Sequence, residues 1–239
     1  MKQLFSLLAV LWIVAAGTVK AAENEIYAVY STDGKTMTLY YDDQRAARSG
    51  VTDWFYYDDL KDRLHAVKTV VFDISMKEAR PTSTKRWFFN YNITKIEHLE
   101  YLNTENVTTM AAMFSVCHSL KEVDVSTFNT KNVTDMSCMF AFSMELESVD
   151  VRNFDMQKVN DTSGMFVYCM ELTTILCDDD WSKYSKISSS SYMFGDCPNL
   201  VGGKGTGYNA EITDMTYARP DGGTGTPGYF TQFTPPAEK

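Results

Sequence analysis

The dipeptide Met113-Phe114 returns as Met139-Phe140 and Met165-Phe166 at intervals of 26 residues, and again as Met193-Phe194 after 28. One period upstream stands a degenerate copy, Trp87-Phe88. Other columns keep step with this anchor. Leu120, Leu146, Leu172 and Leu200 each follow the Phe by six residues, while Val107, Val133, Val159 and Ile187 each precede it by seven. Phe128 and Phe154 hold a further column, with Leu102 one unit earlier. A fixed period of this length predicts a solenoid: one unit cannot bury its apolar side alone, and stacked units bury it against each other.

Within a unit, Leu146 to Phe154 is apolar at its first, fourth, sixth and ninth positions, as is Leu120 to Phe128. This is the L-x-x-L-x-L spacing of a leucine-rich repeat, whose alternation marks a short strand with its apolar side chains turned inward. The segment Val133 to Phe140 spaces its apolar residues by three and four, which predicts a helical turn on the opposite side. The expected fold class is therefore α/β: a leucine-rich-repeat solenoid with a parallel β-sheet on one side and short helices on the other, capped by β-hairpins. Met110, Met113, Met136, Met139, Met165 and Met193 share equivalent positions, so the methionine-rich composition reads as packing.

The flanks suit signal and capping roles. Met1–Ala21 begins with Lys2, continues through an apolar stretch from Leu4 to Val14 and relaxes into small residues, the order of a cleavable signal peptide. That stretch is shorter than the roughly 20 residues needed to span a bilayer. Residues 22–78 form an N-terminal β-rich cap, in which Ile26–Tyr30 and Met37–Tyr41 flank an Asp33-Gly34 turn and Val67–Phe72 supplies a further strand. The repeats occupy 79–200. A glycine-rich C-terminal β cap fills 201–239, with a short strand expected from Glu211 to Ala218.

Twenty-two basic residues against 31 acidic ones give a net charge of −9, and loss of Lys2 and Lys20 with the signal would bring it to −11. Such a surface repels nucleic acid and anionic membranes, which attract proteins through clustered Lys and Arg. Nor does a catalytic constellation emerge. His65, His98 and His118 fit no metal or nucleophile spacing, and the five cysteines form no C-x-x-C pair. Cys117, Cys169 and Cys197 share one register position, with Ser143 in the fourth slot, and read as small core residues rather than a disulfide framework. Asp124 and Asp150 repeat one outward polar position, and Asp178-Asp179-Asp180 lacks the pattern of a calcium loop. The Asn-x-Thr triplets at Asn92, Asn106, Asn132 and Asn160 recur because the unit recurs, and read as turn formers and helix caps. No catalytic residue, metal or cofactor is expected, and an enzyme is not.

The runs Asn103–Phe114 and Phe128–Phe140 resemble the 26-residue repeat of BspA-like bacterial leucine-rich-repeat surface proteins. The flanks resemble that family too, in Ala79–Thr84 before the array and in Tyr217-Ala218-Arg219 and Gly228–Thr231 after it. The resemblance implies a secreted or cell-surface solenoid that binds proteins, with adhesion to host matrix or other bacteria as the role of some relatives. The alternative is a structural module that assembles at the cell envelope with no external ligand. Because the repeats account for themselves as packing, binding residues are expected where the unit is broken: Trp54, Tyr56 and Tyr57 in the N-terminal cap, Trp181 and Tyr184 in the two-residue insertion, and the outward positions that vary between coils.

Overall fold

The computed structural model describes residues 23–52, 66–89 and 92–233. The signal segment Met1–Ala21 and the cluster Trp54, Tyr56 and Tyr57 lie outside the described residues. At the N-terminal end, β1 (Glu25–Tyr30) and β2 (Thr36–Asp42) form the expected antiparallel hairpin, Tyr30 opposite Met37. Gly34 adopts the left-handed φ of +71° that closes its turn. The short β3 (Val51–Thr52) pairs with the outer side of β1. On the other side, β2 is followed in parallel by β4 (Thr69–Phe72) and then β5 (Lys95–Glu97), so hairpin and first coils share one sheet. Period-2 alternation turns Met37, Leu39, Val70 and Phe72 into the core. A second parallel sheet carries β6 (Ser148–Asp150), β7 (Thr174–Leu176) and β8 (Phe230–Thr231).

The opposite side of the coils is a row of turns where helices were expected. Its rungs run in parallel from Ser83 through Thr109, Asp135 and Asp161 to Ser189, which makes a β-solenoid of about four turns. In the coil from 108 to 116, the N–H groups of Met110, Ala112, Phe114 and Val116 donate to the carbonyls of Asp135, Ser137, Met139 and Ala141 in the next coil. Those of Met113 and Ser115 close local turns onto Met110 and Ala112. An α-helix would use all these donors internally and leave the stack unjoined. Spacings of three and four thus record successive tight turns. The helices among the described residues are short 3-10 pieces, such as Ile74–Glu78 and Leu99–Tyr101.

These turns require left-handed backbone at two register positions. Two residues before the Phe stand Arg86, Ala112, Cys138, Gly164 and Tyr192, and two residues after it Val116, Phe142, Tyr168 and Asp196, all at φ between 52° and 64°. Only Gly164 meets this demand without the steric cost, of about 1–2 kcal/mol, that an L-residue bears there. Packing compensates. Phe88, Phe114, Phe140, Phe166 and Phe194 form one buried stack with successive ring centroids 5.5, 5.7, 5.5 and 5.8 Å apart. Burial of each ring contributes on the order of 2–3 kcal/mol, and each stacked pair about 1 kcal/mol more. The edge of Phe72 closes the stack at one end, Tyr229 and Phe230 at the other.

Beside the stack, Cys117, Ser143, Cys169 and Cys197 donate from Sγ or Oγ to the carbonyls of Phe88, Phe114, Phe140 and Phe166. A small side chain with one donor is what this slot selects, and Cys and Ser satisfy it equally. The Asn-x-Thr triplets also prove to be ties between coils: Thr108 and Thr134 donate to Thr82 and Thr108 carbonyls, and Asn132 Nδ2 to that of Glu105.

The expected strand from Glu211 to Ala218 is absent. Turns and a 3-10 piece at Met215–Tyr217 take its place. This end is organised instead by the buried carboxylate of Asp221, which accepts from the Lys204, Thr206 and Gly223 N–H groups and from the Thr206 hydroxyl at 2.7–3.0 Å. Although burial opposes its charge, these donors hold its pKa down to about 2.

Regularity fails at one place on the strand side. Ile93 follows Phe88 by five residues, whereas Leu120 follows Phe114 by six, so the strand of that coil runs one residue early. His98, exposed and left-handed at φ 59°, is the extra residue that restores phase before Leu99. β5 therefore pairs well with β4 but makes no backbone hydrogen bond to the coil after it. That coil, Glu122–Val125, forms no strand and separates the two sheets.

Candidate binding surface

Side chains at the second left-handed position point away from the core, because their neighbours point in. Phe142 sits between buried Ala141 and buried Ser143, and Tyr168 lies beside buried Cys169. Phe142 and Tyr168 are 37% and 40% exposed, on adjacent coils, with ring centroids 4.8 Å apart and planes 16° from parallel. Two residues further on, Met144 and Met170 are 40% and 37% exposed. The result is a two-by-two block of aromatic and methionine side chains on the solvent side. The backbone beneath is fixed: Phe142 N–H donates to Val167 at 2.7 Å, Tyr168 N–H to Gly195 at 2.9 Å, and Glu171 N–H to Met144 at 3.1 Å.

The block is local. On the coil before, the equivalent Val116 and His118 are half-buried; on the coil after stand Asp196 and Pro198. Tyr192, 69% exposed, lies next to Gly195, whose carbonyl accepts from the Tyr168 N–H. Glu145 and Glu171, both exposed, follow the two methionines in sequence and give the block an acidic border. Among scattered single apolar residues, this cluster is the candidate for an interaction surface. Its sequence signal was available: Met144 and Met170 fall outside the columns that carry the buried methionines.

The insertion residues sit elsewhere. Trp181 is fully buried between Phe154, 6.5 Å away and nearly parallel, and the edge of Phe230 at 4.9 Å. It seals the end of the strand-side core and offers no ring face to a ligand. Tyr184 is half-buried, and its hydroxyl donates to Asp179 at 2.6 Å; that bond pushes its pKa up to about 12. The segment Asp178–Tyr184 is consequently a folded corner, with Asp180 paired to Lys183 and Asp178 accepting from the Phe233 N–H.

Among the described residues, none of the five cysteines forms a disulfide. Burial pushes the thiols of Cys177 and Cys197 up to about 12 and that of Cys169 well above its usual value, so none of these three is an available nucleophile. No group of three His, Cys, Asp or Glu side chains among the described residues is placed to hold a metal ion. Asp124 and Asp150 close turns on the N–H groups of Ser126 and Arg152. The Arg152 guanidinium also holds the Asp150 carboxyl below its usual range.

The family profile described as "Mycoplasma protein of unknown function, DUF285" matches residues 82–203, slightly more than half of the chain. The protein belongs to the DUF285 family. The matched span coincides with the array of turns and includes both the Phe stack from Phe88 to Phe194 and the exposed block. No curated protein and no solved structure matches the chain. No helix among the described residues is long and apolar enough to cross a membrane.

Proposed function

We propose that this DUF285 protein is an exported binding module of the BspA-like leucine-rich-repeat kind, displayed at the cell surface and holding a protein partner on the Phe142–Tyr168 block. The exposed two-by-two cluster carries this reading: rigid aromatic and methionine side chains at the centre of a patch, bordered by carboxylates, are what protein interfaces use as anchors. Export is supported by the residue order of Met1–Ala21. The protonated thiols and the placement of His98 and His118 on different coils favour binding over catalysis.

A photo-crosslinking residue placed at Met144 on intact cells tests the proposal. An external protein, from host matrix or a neighbouring cell, should be captured, and Phe142→Ser with Tyr168→Ser should abolish the adduct, since loss of two anchors costs roughly a hundredfold in affinity. Adducts only with envelope proteins of the same cell would select the assembly-module alternative. Absence of any adduct would sink both.

A further inference from the structure

We propose that His118, Met144 and Met170 together bind a soft monovalent metal ion, copper(I). The inference goes beyond the proposed function, because it gives the two exposed methionines a ligand of their own and does not depend on a protein partner.

The three residues hold one register position on three consecutive coils, each four residues after the buried Phe114, Phe140 or Phe166. The residue before each is pinned in the same way: Cys117, Ser143 and Cys169 donate to the carbonyls of Phe88, Phe114 and Phe140. The positions themselves are tied as well, since the Met144 carbonyl accepts from Glu171 N–H at 3.1 Å and that of Met170 from Asn199 Nδ2 at 2.8 Å. Stacked coils repeat at about 4.8 Å, and the Phe142 and Tyr168 rings keep that spacing two residues earlier on the same coils. Donor atoms that share one ion lie roughly 4 Å apart. Neighbouring coils therefore offer their side chains at close to the separation one ion needs.

The donors select the ion. Met144 and Met170 are exposed, whereas the methionines of the regular columns are buried, so these two thioethers are not consumed in packing. An uncharged thioether is a soft ligand that suits copper(I) and leaves magnesium and calcium to oxygen donors. His118 adds an imidazole whose Nδ1 is buried and has no hydrogen-bond partner among the described residues. A buried ring nitrogen ordinarily has one, and coordination supplies it. Zinc takes thiolate, imidazole and carboxylate ligands, and no three such residues among those described lie together. Three neutral donors leave the single charge of the ion uncompensated. Glu145 and Glu171, exposed at the next position in sequence after each methionine, supply the negative field that offsets it.

The test is a titration of copper(I), under reducing and oxygen-free conditions, into the full chain labelled with carbon-13 at the methionine methyls. Cys138→Ser is included as background, because Cys138 is the cysteine that is not fully buried. The Met144 and Met170 methyl resonances should shift together and saturate at one ion per chain, while those of the buried methionines stay in place. Met144→Leu and Met170→Leu, which conserve volume, assign the two signals. Losing even a group behind a metal ligand costs about ten- to a hundredfold in affinity, so each leucine variant, and His118→Phe, should weaken binding at least tenfold. Silver(I) should compete for the same site, and zinc(II) in excess should move neither resonance. Saturation with neither methyl shifted would place copper on a buried thiol and overturn the proposal. So would undiminished affinity in His118→Phe or in Met144→Leu with Met170→Leu, equal binding of zinc(II), or no binding at all. The photo-crosslinking residue replaces Met144 and so removes a metal ligand; capture of a protein partner and binding of copper therefore succeed or fail separately.

Discussion

The two sides of the same coils obey different rules. On the turn side, rungs continue without a gap from Ser83 to Ser189, and each coil from Ala112 onward repeats the same pair of left-handed residues. On the strand side, a shift of one residue near His98 divides the ladder into two sheets. A tight turn with fixed dihedrals and forward-pointing donors admits one register. A strand has only its period of two to hold it, and a slip of one residue costs its pairing with a neighbour while the larger core persists. The turn side therefore carries the stack, and the strand side has latitude for an opening.

The largest expected effect follows from that division. Phe140→Ala, at the middle of the ring stack, should destabilise the fold by about 3–5 kcal/mol, against about 1.5 kcal/mol for Val123→Ala at the split. Chemical denaturation midpoints measure both, and equal losses would refute the unequal roles of the two sides. Next comes the closed end of the strand side, where Asp221 N–H donates to Phe230 on β8 and the carboxylate gathers the loop. Asp221→Asn should cost about 2 kcal/mol at neutral pH. Because the folded pKa of about 2 lies below the unfolded value of 3.8, the carboxylate's contribution is fully present above pH 4 and disappears as pH falls through 2. Wild type and Asp221→Asn should thus converge in acid; a difference that grows on acidification would contradict the assigned role.

Glycine substitutions should separate the two sides by sign. Gly164→Ala puts a Cβ at positive φ within 3.2–3.3 Å of Val167 and Cys138, and should cost about 1 kcal/mol. Ala112→Gly should stabilise by about 0.5 kcal/mol, whereas Thr174→Gly, in β7, should destabilise by about 1 kcal/mol. Thermal melts decide, and a loss at Ala112→Gly would argue against strain at that position. The smallest effect is local: in the free chain, amides at Glu122–Val125 should exchange faster than those at Ser148–Val151 without any change in global stability. Matching protection would mean that the ladder is closed in solution.

Much of the scaffold was legible in the residues. The Phe, Leu and Val columns all point inward as their spacing requires, and the Asp33-Gly34 hairpin forms where that dipeptide stands. The apolar steps of three and four misled, because a helix and a chain of tight turns place side chains inward at the same intervals. Trp181 misled for another reason: an insertion breaks the repeat in sequence, yet its largest side chain is the one that seals the core. Phe142, Tyr168, Met144 and Met170 stand at outward positions that vary between coils and outside the buried columns, but they share residue types with those columns, so spacing alone did not single them out.

The sequence by itself determined that the chain stacks, with what period, and which side chains form the buried columns, since these depend only on spacing and hydrophobicity. Only the tertiary structure decided that the second side is made of turns, that Trp181 is buried while Phe142 is not, and that β5 parts from the next coil. Those outcomes depend on where each backbone donor finds its acceptor in the neighbouring coil, and residues 26 apart must meet in space before that choice exists.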